Sequence, residues 1–421
     1  MRQIFIKLLI GLIFLVSITA TNAQPNYPAP TGVWCSCPPT TGTGTGSVVP
    51  AVASKSYVKG ILVRVAWKDI EPTDNTYNWA LIDNQISAAQ SYGKKISLAI
   101  GGGPNSPPWL YSLGAQSISY TIPFNGTIPI PWGATFLAKW TEFIVQLGNR
   151  YANDNTIQLV YITNSSANGF EMQLPFNPTP SYTSIGYTDQ KVIDSWKQVI
   201  NTFNASFPNH YLTNDFHPVN SSNIVADDIY AYAKLNIGSR YGANGWWWTQ
   251  NNTSVYPSQY AILQNSAINN QFTGIQMAYS GITSPGSFGT GGMPAALNLA
   301  ISQNIRYWEI WNNDITSGTF DTLLSGAVPL SLNSLEFLRN NGQVVSRPAV
   351  GSTTKLYRIL VRGSGFDATS KVLVNGIETE TEFVNAGEVR AKLPAGKIGR
   401  VSRSTAQVRS QNGQTSNVLS F

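Results

Sequence analysis

Two glutamates in this sequence have the surroundings that acid–base chemistry requires. Glu171 follows a stretch of small residues and a glycine at positions 165–169, which leaves room around a carboxylate. Glu309 lies in the middle of residues 306–314, where the residue pattern predicts a strand. Two carboxylates in different environments can differ in pKa, so that one donates a proton while the other attacks or directs water. The remaining glutamates before residue 339 have simpler interpretations as loop, helix-surface and boundary residues: Glu71, Glu142 and Glu336.

An arginine inside an apolar strand is the second signal. Residues 61–67 alternate with the two-residue period of a strand, and both faces are mostly apolar, as in a parallel strand covered by helices. Arg64 interrupts this run, and a buried guanidinium needs a carboxylate or several acceptors as partners. We therefore predict an interior ion pair between Arg64 and Glu309. The pair would keep Glu309 ionised, whereas aromatic neighbours would raise the pKa of Glu171.

These residues belong to a series of predicted strands that alternate with amphipathic helical patterns. The strands are predicted at residues 32–37, 61–67, 96–100, 157–163, 211–215, 234–238, 274–279 and 306–311. Eight such units predict an α/β fold, the (β/α)8 TIM barrel, whose reactive groups lie at the C-terminal ends of the strands. A doubly wound sheet is the alternative, but the glycines at 101–103 open no helix and so form no phosphate-binding loop.

Short motifs in the first half of the barrel are specific enough to suggest a family. Residues 67–72 read W-x-x-I-E-P, residues 77–79 read Y-x-W, residues 81–83 read L-I-D, and residues 107–110 read PPWL. Together they resemble the retaining TIM-barrel glycoside hydrolases, especially the family 42 β-galactosidase-like group and its family 5 relatives. The resemblance extends over about residues 33–314.

The resemblance implies roles for the two glutamates. Such enzymes keep the general acid/base after strand four, where Glu171 lies, although their usual Asn-Glu pair is Phe170-Glu171 here. They also place an arginine on strand two beside the nucleophile, which makes Glu309 the nucleophile candidate and favours a retaining mechanism. Their nucleophile lies on strand seven, however, and Glu309 falls on predicted strand eight. Three interpretations are open: a displaced carboxylate, a strand count that is wrong by one, or an interior ion pair without a catalytic role.

Aromatic residues on strands and on the following loops indicate a sugar-binding cleft, because sugars pack their C–H faces on such rings. At least one of the three consecutive tryptophans at 246–248 should line it. Asp215, at the end of strand five, is a reserve candidate for either carboxylate role, and His217 is interpreted as a hydrogen-bonding wall. The predicted substrate-binding residues are Arg64, Trp67, Trp109, Asp215, Trp247, Tyr279 and Trp311.

The C-terminal part of the chain differs in pattern and charge. From Val344 onward, short alternating strands replace the helical period, and basic residues outnumber acidic ones, the reverse of residues 24–338. Residues 363–376, 381–395 and 416–421 resemble an IPT/TIG immunoglobulin-like domain, a module that usually acts as a spacer or binding unit. We predict a barrel at residues 24–338 and a small all-β sandwich at residues 339–421.

The N-terminus predicts export. Arg2 and Lys7 precede an apolar run at residues 8–18, and Ala23 ends a small-residue cleavage pattern, so residues 1–23 are interpreted as a signal peptide rather than a membrane anchor. Cys35 and Cys37 are the two cysteines of the chain. Because neighbours two apart on a strand rarely bridge, they are interpreted as separate packed residues. No His or Cys cluster predicts a metal site.

The sequence therefore favours a secreted glycosidase, extracellular, periplasmic or at the cell surface, acting on a β-linked oligo- or polysaccharide. It predicts no cofactor, no nucleic-acid partner and no integral membrane segment, and it makes no prediction of oligomeric state. Two alternatives stay open. One is a carbohydrate-binding barrel without catalysis, and the other is a surface adhesion or scaffold protein whose IPT/TIG-like module carries the function.

Overall fold

The structure, a computed structural model, describes residues 25, 27–41, 46–122, 124–269, 272–339, 342–345, 357–393, 404–411 and 414–421 of the 421-residue chain. The predicted signal peptide at residues 1–23 lies outside the described residues.

The strands are numbered in chain order. They are β1 (Gly32–Ser36), β2 (Val58–Ala66), β3 (Lys95–Gly101), β4 (Ser117–Tyr120), β5 (Gly126–Pro129), β6 (Ile157–Tyr161), β7 (Tyr211–Asp215), β8 (Tyr241–Trp248), β9 (Phe272–Met277), β10 (Tyr307–Trp311), β11 (Ser331–Leu338), β12 (Val344–Val345), β13 (Tyr357–Ser364), β14 (Lys371–Val374), β15 (Ile377–Glu378), β16 (Thr381–Asn385), β17 (Glu388–Leu393), β18 (Thr405–Arg409) and β19 (Leu419–Ser420).

The α-helices are numbered in the same way. They are α1 (Pro50–Ala53), α2 (Trp67–Ile70), α3 (Ala80–Ser91), α4 (Trp109–Ser112), α5 (Ala134–Tyr151), α6 (Asp189–Ser206), α7 (Ile224–Ile237), α8 (Asn252–Val255), α9 (Pro257–Ile268), α10 (Gly292–Ser302), α11 (Asn312–Thr316) and α12 (Asp321–Gly326).

A closed barrel of parallel strands forms the larger part of the molecule. Its strands follow one another in the order β1-β2-β3-β6-β7-β8-β9-β10, and β10 pairs with β1 to close the ring. The predicted (β/α)8 barrel is thus confirmed, and Glu309 lies on the eighth barrel strand. The hairpin β4–β5 is inserted between β3 and α5. Because all barrel strands run in parallel, their C-terminal ends meet at one mouth, where reactive groups are expected.

Apolar side chains fill two shells of the barrel. The outer shell, between strands and helices, includes the fully buried Trp67, Trp140 and Phe143. The inner shell, inside the strands, contains Trp34 and Tyr307 among other large side chains. Burying one such side chain stabilises the fold by roughly 1.5–3 kcal/mol. The lumen is therefore a packed core, and the polar groups that it contains must find partners within it.

The prediction for strand six was wrong. Residues 234–238 lie in α7 and its C-terminal end, and the strand is β8, which begins at Tyr241. The helix continues because Ile229, Ala233 and Ile237 recur with helical spacing and are all buried. Gly238, with φ 71°, then ends the helix in a conformation that favours glycine. The three tryptophans consequently lie on the strand rather than on the loop after it.

Cys35 and Cys37 form a disulfide, so their interpretation as separate packed residues was wrong. That interpretation assumed that both residues belong to one regular strand. In the structure β1 ends at Ser36, so Cys37 leaves the strand alternation, and the two Cα atoms are 5.2 Å apart. This separation lies within the range that a disulfide spans.

The C-terminal part forms a sandwich of two antiparallel sheets, ordered β12-β11-β13-β17-β16 and β15-β14-β18-β19. The predicted all-β fold is confirmed. Strand β11 pairs with β13 along residues 331–338, although the predicted boundary placed these residues in the barrel. Its apolar side chains, Leu332 and Phe337, join a core that is shared with Ile359, Val372 and Val408 from both sheets. None of the helices in the described part of the chain is long and apolar enough to cross a membrane.

Candidate active site

A cavity of about 400 Å³ opens at the mouth of the barrel, above the C-terminal ends of β1, β2, β9 and β10. Three of the predicted substrate-binding residues line it: Arg64, Tyr279 and Trp311. Tyr279 is 45% exposed, so its ring is available for contact with a ligand. The other lining residues are small or polar: Ser36, Pro38, Pro39, Ala278, Ser280, Thr283, Ser284, Asn312 and Asn313.

Arg64 lies between two indole rings at the floor of this cavity. Its Cζ is 5.9 Å from the ring centroid of Trp246 and 5.7 Å from that of Trp311, which are distances of cation–π contact. Its Nη2 donates to the carbonyl oxygen of Cys37 at 2.8 Å. Its Nε is buried and has no hydrogen-bond partner among the described residues. The guanidinium is thus fixed in place and keeps a donor for a further acceptor.

The predicted ion pair between Arg64 and Glu309 is not formed. Glu309 Oε1 instead accepts hydrogen bonds from the hydroxyls of Tyr161 at 2.7 Å and Tyr307 at 2.5 Å, and Oε2 has no partner among the described residues. Burial raises the pKa of Glu309 to about 7, against the opposing effects of the two hydroxyls and the Arg64 charge. The expectation that Glu309 stays ionised was therefore wrong, since near neutral pH it is partly protonated.

Glu171 lies at the mouth, on the loop after β6. The backbone N–H groups of Phe170 and Glu171 donate to Asn168 Oδ1 at 3.0 and 2.9 Å, which fixes the turn. Gly169 has φ 84°, and a Cβ there would lie 2.2 Å from the carbonyl oxygen of Gly102, so the turn requires glycine. The side chain of Glu171 is 24% exposed. Burial raises its pKa and the charge of His217 opposes this, so the predicted direction of the pKa shift is confirmed.

A histidine links Glu171 to Asp215. Asp215, at the end of β7, accepts the backbone N–H of Trp246 through Oδ1 and contacts His217 Nδ1 through Oδ2 at 2.6 Å. His217 Nε2 then lies 3.7 Å from Glu171 Oε2. Desolvation lowers the pKa of His217, but the charges of Asp215 and Glu171 outweigh it, so its pKa is raised. In the row Asp215–His217–Glu171, Asp215 holds the histidine in place, and the charge of His217 acts on Glu171.

The same three side chains offer ligand atoms within 4.8 Å of one another, a separation that one metal ion could bridge. However, His217 Nδ1 and Asp215 Oδ2 are already hydrogen bonded to each other, which leaves Nε2 of His217 and the carboxylate of Glu171 as the groups that face the mouth. The D-x-H spacing at the end of β7 was the sequence signal for this arrangement, and the interpretation of His217 as a wall missed its position between two carboxylates.

Three of the predicted substrate-binding tryptophans are not brought to the cavity. Trp67 is fully buried in the outer shell, where its Nε1 donates to Glu71 Oε2 at 2.7 Å. Trp109 packs against the same shell and donates to the carbonyl oxygen of Glu71 at 2.9 Å. Trp247 donates to a backbone carbonyl at 2.8 Å and is 4% exposed. The contacts of Glu71 agree with its predicted role in fixing the loop.

Trp246, rather than Trp247, faces the barrel lumen, but it is not among the residues that line the cavity. The pairing of β8 with β9 shifts register between Gly245 and Trp248, so the side chains in this stretch depart from strict alternation. Trp246 belongs to the inner shell, and its Nε1 lies 3.3 Å from the hydroxyl of Tyr161. Since the register shift cannot be read from the sequence, the faces of the three tryptophans could not be assigned from it.

Comparison with known proteins confirms both resemblances. The glycoside hydrolase family 42 model, described as beta-galactosidase, matches residues 59–169, and the model of the IPT/TIG domain matches residues 344–421. The barrel therefore has the fold of the TIM-barrel glycoside hydrolases, and the C-terminal part is an IPT/TIG domain. The first match ends just before Glu171. No curated protein sequence matches the chain.

Three solved structures that match the chain share little sequence identity with it. The catalytic domain of a β-amylase from Paenibacillus polymyxa is 12% identical, with a TM-score of 0.46 over 66% of this chain and 94% of that one. A family 39 glycoside hydrolase from the gut symbiont Bacteroides cellulosilyticus WH2 is 12% identical, with a TM-score of 0.46 over 87% and 81%. A β-galactosidase from the psychrophilic Marinomonas ef1 is 10% identical, with a TM-score of 0.39 over 58% and 47%.

Proposed function

We propose that this chain is a secreted glycoside hydrolase that cleaves a β-linked glycan, with Glu171 as the general acid and base. The observation that carries the proposal is the position of Glu171 at the barrel mouth. It is partly exposed, it faces His217 Nε2 at 3.7 Å, and the mouth also opens into the cavity lined by Arg64, Tyr279 and Trp311. Hydrolysis of a glycoside needs a carboxylic acid that can protonate the departing oxygen.

The raised pKa of Glu171 suits this role. A carboxylic acid protonates a leaving group effectively when its pKa lies near the working pH. Burial raises the pKa of Glu171, and the proton that it donates in the first step returns from the water that it activates in the second step. His217 is a positioning residue in this scheme, because it acts on the reaction through Glu171.

We propose Glu309 as the second carboxylate and retention of configuration as the outcome, following the family resemblance. The two tyrosine hydroxyls on Oε1 hold the carboxylate in one orientation and leave Oε2 without a partner. Oε2 would attack the anomeric carbon, and the Glu171 carboxylate would then activate water to release the sugar. Proton NMR of the first product formed should show the anomeric configuration of the substrate.

A second candidate function is carbohydrate binding without hydrolysis. Two observations favour it: Glu309 is fully buried, and β9, the seventh barrel strand, carries no acidic residue. A panel of 4-nitrophenyl β-glycosides separates the two functions. The wild type and a Glu142→Gln control on the helix surface should both release nitrophenol, and Glu171→Gln should release it much more slowly after the first turnover, because it cannot activate water. Binding of glycans by the wild type without any release of nitrophenol would favour the second candidate.

We also propose export with removal of residues 1–23. The pattern that supports it is the basic start, the short apolar run and the small residues before Gln24. The intact mass of the protein recovered from outside the cytoplasm of the expressing bacterium should correspond to a chain that begins at Gln24. A cell-associated protein that retains Met1 would contradict this proposal.

A further inference from the structure

A second recess, of about 430 Å³, lies beside the loop that carries Glu171. The loop after β6 and the start of α9 form its walls, and this volume is in the range that binds small molecules. Its lining is apolar or amide-bearing and contains no charged side chain: Gln173, Leu174, Phe176, Pro218, Asn220, Ser221, Asn223, Val255, Tyr256, Pro257 and Gln259.

The recess offers both kinds of contact that a neutral sugar requires. Phe176 is 50% exposed and Val255 is 62% exposed, which provides apolar surface for the C–H faces of a pyranose ring. Amide side chains such as Gln173 and Asn220 provide donors and acceptors for hydroxyl groups. Because no lysine, arginine, aspartate or glutamate lines the recess, its chemistry fits an uncharged glycan rather than a uronate or a sulfated sugar.

Tyr256 connects the recess to the mouth. Its ring centroid is 5.4 Å from that of His217, in an edge-to-face arrangement. Burial raises the pKa of Tyr256, and the charges of Glu171 and Asp215 and the phenol of Tyr279 add to this effect. Tyr279 lines the first cavity. Tyr256 therefore places the recess next to the Asp215–His217–Glu171 row at the mouth.

The position of Glu171 indicates which half of the glycan each hollow would bind. The general acid must lie beside the departing oxygen, so the leaving half of the glycan lies on its side of the bond. Gln173 and Leu174 follow Glu171 closely on the same loop and line the second recess. The first cavity, with Arg64 on its floor, then holds the half that carries the anomeric carbon.

We infer that the recess around Phe176 and Tyr256 is a second carbohydrate subsite, which binds the leaving half of a neutral, β-linked glycan, so that the enzyme cleaves internal linkages. This inference rests on the proposed function of Glu171. It adds a substrate class, an uncharged chain of several sugars, and cleavage at internal linkages to that function.

The test uses β-1,4-linked pentasaccharides of glucose, xylose, mannose and galactose, with the β-glycosyl fluoride of each sugar. A fluoride substrate has no leaving chain and so cannot fill the second recess. Mass spectrometry of early products should show disaccharide with trisaccharide. In Phe176→Ala, the ratio of kcat/KM for the pentasaccharide to that for the fluoride should fall about tenfold, which corresponds to the loss of one stacked ring. Val255→Ser should lower the same ratio.

Tyr92→Ala is the matched control, because Tyr92 is a 41% exposed aromatic residue at the end of α3, outside both hollows. Its ratio should equal that of the wild type. Release of single sugars only, with Phe176→Ala and Val255→Ser both matching the control, would overturn the subsite. If no substrate is cleaved, the proposed hydrolysis fails, and calorimetry with the same pentasaccharides decides the subsite. If the wild type binds a pentasaccharide and Phe176→Ala binds it more weakly, the subsite is retained. If the wild type does not bind, or Phe176→Ala binds as tightly as the wild type, the subsite is overturned.

Discussion

Replacing Glu309 by glutamine should change how the stability of the barrel depends on pH. Glu309 is fully buried, and burial raises its pKa from the ordinary 4.5 to about 7. Glutamine has nearly the same shape and can accept the hydrogen bonds of Tyr161 and Tyr307, but it does not titrate in this range. The substitution therefore removes one titration from the folded state and leaves most of the packing intact.

The sign and size of the effect follow from proton linkage. Between pH 4.5 and about 7 the folded protein keeps Glu309 protonated while the unfolded chain releases the proton, so the folded state binds more protons. The free energy of unfolding of the wild type then falls as pH rises through this window. At about 1.4 kcal/mol per pH unit, the loss amounts to about 3 kcal/mol. Glu309→Gln lacks this loss, so its stability relative to the wild type should increase by about 3 kcal/mol from pH 4.5 to pH 8.

Urea unfolding followed by tryptophan fluorescence measures this difference. All twelve tryptophans lie between Trp34 and Trp311, so the signal reports on the barrel and not on the IPT/TIG domain. Placing the amide nitrogen of glutamine in the position of Oε2 has a free-energy cost that is the same at every pH. It therefore does not change how the difference in unfolding free energy between variant and wild type depends on pH. For Glu142→Gln, on the helix surface, the difference in unfolding free energy from the wild type should not change with pH in this way. A stability difference between Glu309→Gln and the wild type that is independent of pH would refute the assigned burial and pKa.

Three further predictions concern other parts of the molecule. The positive charge of His217 lowers the pKa of Glu171. In His217→Gln this charge is lost, so the alkaline limb of the pH–kcat profile should move to higher pH. An alkaline limb at the wild-type pH would show that His217 does not interact with Glu171. The double variant Cys35→Ser/Cys37→Ser should lose about 2 kcal/mol or less of unfolding free energy, because the disulfide closes a very short loop. A larger loss, measured by urea unfolding, would mean that the disulfide also orders the mouth of the barrel. Limited proteolysis between residues 326 and 331 should release an intact fragment that begins near Ser331, because β11 pairs with β13; a stable fragment that lacks residues 331–338 would contradict that pairing as a domain boundary.

The barrel could be predicted from the sequence because its signals are local and repeated. Seven of the eight barrel strands are recognisable in the sequence as short apolar runs between helical patterns, as expected for parallel strands buried on both faces. The exception, residues 234–238, has apolar residues whose spacing fits a helix as well as a strand. Only the packing of Ile237 with the rest of α7 decides between the two. The boundary at residue 338 was misplaced for a similar reason, since the partner of β11 lies beyond the segment itself.

The site was less predictable because it depends on distant partners. Arg64 and Glu309 are both interior, as their positions in apolar strands indicated, but their hydrogen bonds go elsewhere. Tyr161 is 148 residues from Glu309 in sequence, and no local pattern reveals that its hydroxyl meets the carboxylate. Burial raises the pKa of Glu309 and outweighs the three neighbours that lower it, Tyr307, Tyr161 and Arg64. Polar networks in a barrel lumen are set by strand register and tilt, which the sequence does not display.

The central claim, that Glu171 donates the proton to the departing oxygen, is tested most directly by varying the leaving group. An alkyl β-glycoside needs that proton, whereas a 2,4-dinitrophenyl β-glycoside leaves without it. Glu171→Gln should therefore lower the first-turnover rate on the alkyl glycoside by about 10²- to 10⁴-fold and on the dinitrophenyl glycoside by far less. Azide should speed the release of the glycosyl-enzyme formed from the latter. Equal losses on both substrates, or full activity of Glu171→Gln on the alkyl glycoside, would contradict the assignment of Glu171 as the acid.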